Sequence, residues 1–340
     1  MVSASGCESD PMAAPHNHIF VSDFHLGEGR DPETGQVPPA EDFFHDRSFA
    51  RFLVYHVDIQ RQALADQDPI RSRPWDLVIV GDLFEFMEIS ALPDEGPEMT
   101  RVRGFPKHTG LSARERRFGL GTRVQECVWK LERIYRGHPL LFQALAWFLA
   151  HPGYRLTILK GNHDVELSWP GVQSRFRELI HQAYAVWGQS TAGSCPDDLP
   201  LPVHAELPPG LDLVDLAERV RFPPSFCYEK DLFYAEHGGQ FDHTTRFPNF
   251  EDPTLPERPD LIQLPPGSLF VRYVYNDVEQ IHPFAENLKP VSRYLLWLVG
   301  TTPAGTGRIL CYLVRGTFLR GLKNLRDRWR RMQGLEPEAV

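Results

Sequence analysis

Four short apolar runs punctuate the chain, at His18–Ser22, Trp75–Val80, Arg155–Leu159 and Leu232–Ala235. Each is bounded by turn residues and too short for an average helix, so each predicts a buried strand. Three of them end on a polar cluster rich in Asp, His, Gly or Asn, and the fourth ends on Glu236-His237-Gly238-Gly239. Polar side chains are thereby set at the C-terminal ends of strands, where open α/β sheets bind ligands.

Helical periodicity fills the intervals. Ser48–Leu64 spaces Phe49, Phe52, Leu53, His56, Val57 and Gln60 along one face, and Leu111–Tyr135 reads as one basic amphipathic stretch. Leu140–Ala150 is apolar nearly all round but far too short to cross a bilayer, which predicts a buried helix. Residues 1–16 read as a disordered lead-in, 188–210 as a loop rich in Pro, Gly, Ser and Asp, and 251–267 as a proline-rich connector. Beyond it, 268–340 reads as a helical C-terminal region. No internal repeat is visible.

Composition refines this picture in two places. The chain has 30 prolines in 340 residues, about 9% against a typical ~5%, which predicts long connections around a compact centre. The net charge of −9 argues against nucleic acid as a general partner. It is unevenly spread: Arg308–Arg331 holds eight basic residues and the single acid Asp327, so that stretch is +7 and the remainder −16. Ile309, Leu310, Leu313, Val314, Phe318, Leu322, Leu325, Trp329 and Met332 recur there at helical intervals. Two readings stay open for 308–332: a basic helix on the inner face of an anionic membrane, or a helix packed on the chain with its basic face solvated. Pro303 with Gly305, Gly307, Gly316 and Gly321 argues against one continuous helix.

Five scattered cysteines (Cys7, Cys127, Cys195, Cys227, Cys311), never paired as CxxC, argue against a disulfide framework or zinc ribbon and fit a reducing compartment, hence the cytoplasm. The opening MVSASGCESDPM has neither a basic n-region nor an apolar run, so a secretory signal is not expected.

The chemistry lies in three blocks, SDFHLG at 22–27, GDLFEF at 81–86 and GNHD at 161–164. On an extended segment residues i and i+2 point the same way, so Asp23 and His25 deliver a carboxylate and an imidazole to one place. Asp82 follows a glycine directly after a strand, and Asn162-His163-Asp164 crowds an amide, an imidazole and a carboxylate into three residues. Each block alone has an ordinary reading as a turn or surface pair. Together they offer mixed nitrogen and oxygen donors suited to a borderline or hard divalent ion such as Mn, Fe, Zn or Co. One carboxylate shared by two ions holds them ~3.5–4 Å apart, the spacing for in-line displacement at phosphorus.

In these blocks the chain resembles the calcineurin-like metallophosphoesterases, whose order is DxH, GDxx(D/E), GNH(D/E), a later His and a closing GHxH. The likeness covers roughly residues 18–250. GDLFEF and the late YAEHG look most like the bacterial branch that includes UDP-2,3-diacylglucosamine pyrophosphatases. The resemblance implies an α+β fold, a four-layer αββα sandwich spanning 17–250. It implies two metal ions, manganese first, with Asp23 and His25 on one, Asn162 and His237 on the other, and Asp82 bridging. It makes His163 the acid that protonates the leaving oxygen, with Glu85 or Asp164 holding its ring, and a metal-bridging hydroxide the nucleophile. The substrate would be a phosphoester-containing small molecule or a nucleotide-linked compound. Residues 87–150 would be a helical insertion, with Arg101, Arg103, Lys107, Arg114, Arg116 and Arg117 either meeting phosphate from a cap or lying on a charged helix surface. Phe24, Phe84 and Phe86 either line the entrance or belong to the core.

The closing GHxH is missing. Three explanations remain: a truncated or split chain, replacement by Asp242, His243 or His282, or a degenerate relative acting as a non-catalytic binding protein. A nuclease of the same fold fits the acidic charge poorly.

Overall fold

The computed structural model describes residues 7–8, 15–103, 110–191 and 211–276. The chain divides into two compact units, Met1–Asn276 and Asp277–Val340, and the described residues belong to the first. Residues 308–332 and His282 lie outside the described residues, as does Lys107.

The first half of the unit runs β1 (Cys7–Glu8), β2 (Asn17–Val21), α1 (Asp46–Ala65), β3 (Trp75–Val80), α2 (Pro97–Arg103), α3 (Ala113–Phe118), α4 (Val124–Gly137) and α5 (Pro139–Ala150). The second half runs β4 (Arg155–Leu159), α6 (Pro170–Thr191), α7 (Leu213–Arg219), β5 (Val220–Arg221), β6 (Phe226–Glu229) and β7 (Phe233–Glu236). A hairpin, β8 (Thr254–Leu255) with β9 (Arg258–Ile262), and the short helix α8 (Pro266–Phe270) complete it.

This is a mixed α/β fold built on a parallel sheet of order β2-β3-β4-β5. Leu77, Val78 and Ile79 in succession are fully buried, as expected of a strand covered on both faces. α5 runs between α1 and α6 and is buried around its circumference, from Leu141 to Ala150 with the exception of Gln143. Pro139 opens it, where a missing backbone N–H costs nothing. Burying each of its large apolar side chains contributes roughly 1.5–3 kcal/mol, so this helix anchors the core behind the sheet. No helix among the described residues is long and apolar enough to cross a membrane.

β1, β6 and β7 form a second, smaller sheet, with β6 and β7 antiparallel. It meets the first through Phe233, whose ring lies 4.8 Å from that of His18 and 4.9 Å from that of Phe20. Glu229 pairs with His18 at 3.3 Å. β7 thus ends near the exits of β2 and β3, and His237 follows it directly.

The structure corrects several expectations. Cys7–Glu8, in the segment read as disordered, is a strand paired in register with Cys227 and Tyr228. The stretch Leu111–Tyr135 is two helices, because the chain turns at Gly119. That residue has φ +72°, and any Cβ there would sit 2.2 Å from the Ile89 carbonyl oxygen. α6 extends to Thr191, so the loop expected from 188 begins later. The proline-rich connector contains the β8–β9 hairpin, since Pro259 lies on a two-stranded ribbon where no third strand needs its missing N–H.

Candidate metal centre

The site begins with two strands that keep pairing after they stop being regular. Past Val21 and Val80, Asp23 N donates to Gly81 O at 3.2 Å, Phe24 N to Asp82 O at 2.9 Å and Leu26 N to Leu83 O at 3.0 Å. Glu85 N returns a bond to Leu26 O at 2.9 Å. Within this ladder Asp23, His25 and Asp82 adopt left-handed φ values of 56°, 50° and 52°. They are three of the five non-glycine residues in that region among those described. Such strain persists only where the surroundings impose it and gathers at functional sites. Here it turns the three side chains into one space.

The third block is fastened to the second by its own side chains. Asp164 accepts the N–H of Leu83 at 2.8 Å on one oxygen and that of Gly161 at 2.6 Å on the other. His163 N donates to Asp82 Oδ1 at 2.9 Å. The second oxygen of Asp82 meets His237 Nε2 at 3.0 Å and His25 Nε2 at 3.8 Å.

His237 is held by its far side. Its Nδ1 lies 3.0 Å from the carbonyl of Val80, so Nδ1 carries the proton and Nε2 turns to Asp82 and to Asn162 Oδ1, 3.1 Å away. Gly81 makes this approach possible: its φ is +82°, and a Cβ on it would stand 2.5 Å from the His237 ring. A backbone carbonyl fixing the tautomer of a ligating imidazole is the usual outer support of a metal site.

Glu85 serves two histidines. Its Oε2 lies 3.1 Å from His25 Nδ1 and in hydrogen-bond contact with His163 Nδ1, while Oε1 accepts the Met87 N–H at 3.1 Å. The two imidazoles sit edge to face, 4.6 Å between centroids. Glu85 is therefore the carboxylate that meets the His163 ring, and Asp164 instead joins two backbone turns.

Charge is concentrated in this space. Burial alone would raise the Asp82 carboxyl, but the His237 hydrogen bond and the charges of His163, His237 and His25 outweigh it and hold it at about 2. His237 is disfavoured as a cation by burial yet pushed up to about 9 by Asp82. His25 is raised, its burial outweighed by Glu85. Asp164 is pushed up to about 7, by burial first and then by the charge of Asp82. In the absence of a cation, the histidines around the ionised Asp82 hold protons that a divalent ion would displace.

The donor set fits divalent ions. His25, Asp82 and His163 form one group, and Asp23, Asp82 and His237 another; in each group, one ligand atom per residue lies within 4.8 Å of the others. Asp82 belongs to both. Asn162 adds an amide oxygen beside His237. Exposure graduates across the cluster, from 4% at the Asp82 side chain through 22% at His25 to 59% at Asp23, so one side opens to solvent.

Other expected contributors fall elsewhere. Asp242 Oδ1 accepts from Thr244 N and Oγ1, both at 2.7 Å, and both Asp242 and His243 are exposed. Neither belongs to a ligand group. Arg101 donates two hydrogen bonds to Glu132, at 2.8 and 2.7 Å, and Arg103 donates to Glu126 at 2.7 Å and to Glu115 at 2.5 Å. Arg114 meets Tyr273, and Arg117 lies over the ring of Phe118. Arg101 and Arg103 thus join the insertion's own elements together. Phe84 and Phe86 are wholly buried and belong to the core, while Phe24 packs on Phe43 and Phe49. The support given by the Val80 carbonyl and the contact between Glu85 and His25 were not foreseen. Both cross between blocks distant in sequence, and only the offset of Glu85 from Asp82 hinted at the second.

No family model, curated protein or solved structure matches this chain.

Proposed function

We propose that this chain is a metal-dependent hydrolase of a phosphoester or pyrophosphate bond, on a four-layer αββα sandwich of the metallophosphoesterase type. The observation that carries the reading is the pair of ligand groups sharing Asp82. A bridging carboxylate with nitrogen and oxygen donors on either side is the arrangement that two divalent ions, manganese first, require. Bound there, the ions would supply water acidified for attack at phosphorus and positive charge against the phosphoryl oxygens.

The chain's own residues perform the positioning. Asp82 ties both halves of the cluster together through the N–H of His163 and the ring of His237. The Val80 carbonyl and Glu85 orient the imidazoles. Asp23, on the solvent side, marks where substrate enters. The substrate class is a small phosphoester or nucleotide-linked compound in the cytoplasm. Contact of 308–332 with an anionic membrane belongs to the same reading; vesicle flotation with Arg326, Arg328 and Arg330 replaced together would test it, and unchanged binding would end it.

The deciding experiment is metal analysis after purification with manganese, followed by an aryl phosphodiester assay against an Asp82→Ala control. Two metals per chain and turnover above that control are expected. Fewer than about one metal per chain and no excess turnover would leave a non-catalytic binding protein as the better reading.

A further inference from the structure

The geometry points to a small-oxyanion site at Lys160, where a phosphate or a carboxylate enters a cavity outside both ligand groups of the metal centre. The site stands apart from the hydrolase reading and needs no metal ion.

Lys160 directly follows Leu159, the last residue of β4, and is only 4% exposed. A buried ammonium calls for a counter-charge, yet the groups that touch this one are neutral. Nζ donates to Ser168 Oγ at 2.9 Å and to the Glu251 carbonyl at 3.5 Å, and it lies 4.7 Å from the centre of the Phe250 ring. No carboxylate among the described residues forms an ion pair with it. The acidic side chains that act on it, Glu251, Asp164 and Asp252, do so from beyond ion-pair distance.

What Lys160 does border is a cavity of about 80 Å³. That is room for an ion the size of acetate or phosphate, since one water takes only ~10–15 Å³. The lining favours negative charge. Ser168 accepts from Lys160, so its hydroxyl proton is left to donate into the cavity. Gln173 brings the first turn of α6 to the same space, and anions are favoured at that end of a helix. Leu167, Phe222 and Pro223 give an apolar wall, against which an ion pair is screened less than at the surface. Glu251 is an exposed residue at this cavity, and it reaches Nζ through its backbone carbonyl. Lys160 stands two residues before Asn162, so a bound oxyanion fixes the strand end from which the third block departs.

The test titrates the full-length protein at neutral pH with inorganic phosphate, and separately with acetate, by isothermal calorimetry. Chelator keeps ions from the metal centre. Wild type should bind one oxyanion per chain, and the tighter of the two titrants tells a tetrahedral ligand from a carboxylate. Lys160→Met keeps the length of the side chain without its charge, a change that buried ions tolerate. It should lose at least about 10-fold in affinity, the worth of one charge-assisted hydrogen bond. A second readout needs no variant: trace acetic anhydride labels lysines, and peptide mass spectrometry follows Lys160. Phosphate or acetate should slow its labelling relative to chloride at equal ionic strength. No binding in chelator, equal affinity in a folded Lys160→Met protein, or labelling that neither anion slows would overturn the site. Manganese binding tests the metal centre separately and is untouched by any of these results.

Discussion

Asp164 Oδ2 accepts the backbone N–H of Leu83 at 2.8 Å, and through this bond the second and third sequence blocks become one structural piece. Its other oxygen holds Gly161 N at 2.6 Å, and the side chain is wholly buried. Replacing it by alanine strands two buried N–H groups. The expected loss is about 2–4 kcal/mol in urea unfolding, with both metal sites weakened together. A loss below about 1 kcal/mol would show that the turns are held by something else.

Asp23 has the opposite character. Its φ of 56° is left-handed while its side chain is 59% exposed. Glycine adopts that backbone without strain. Asp23→Gly should therefore leave the metal-free protein as stable as before, or more stable by up to about 1 kcal/mol, while weakening the ion held with His237. Asp23→Val should destabilise, because a branched Cβ resists this conformation. Thermal unfolding in chelator separates the two; equal losses would mean that the carboxylate itself holds the loop.

The insertion's arginines act on stability. Glu126 is fully buried against Arg103 at 2.7 Å and Arg123 at 3.5 Å, so removing the Arg103 guanidinium takes away the nearer of two cations, at about 1.5–3 kcal/mol. Arg103→Leu should lower the unfolding free energy measured in urea by that amount yet preserve KM for an aryl phosphodiester in the folded fraction. A raised KM with undiminished stability would assign Arg103 to substrate instead.

Away from the metal centre, His138 sets a pH dependence. It is buried, with Nδ1 3.2 Å from Asp46 and Nε2 3.5 Å from Glu41. Burial opposes its charge, but the two carboxylates prevail and raise it from 6.5 to about 9. The folded state thus binds the proton more tightly than the unfolded chain. Its contribution, on the order of 3 kcal/mol, is complete below pH ~6.5 and fades as the pH rises through about 9. Urea midpoints measured between those limits should fall more steeply for wild type than for His138→Gln; parallel curves would refute the assignment.

Much of this is legible in the amino-acid sequence. Trp75–Val80 and Arg155–Leu159 were bounded by their own turn residues, so the apolar runs and the strands coincide. His237 was singled out by the resemblance of its YAEHG block to the family's late histidine, and the fold brings its ring to 3.0 Å from Asp82. The two helices in 111–137 were not, since the break depends on Gly119 meeting the Ile89 carbonyl, a contact across the insertion. α6 was passed over although Val172, Phe176, Leu179, Ile180, Ala183 and Trp187 recur at helical intervals and are all buried. The insertion's cations illustrate the deeper limit. Arg103 reads as available charge until the fold brings Glu126 and Glu115 to it from 23 and 12 residues away.

Glu85 carries one more consequence, for how a fault spreads through the site. One buried oxygen meets Nδ1 of both His25 and His163, so a change at that single side chain releases two rings that belong to different sequence blocks. Glu85→Gln combined with His25→Ala should therefore cost less manganese affinity than the sum of the two single changes. Strictly additive losses would mean that the two rings are oriented independently.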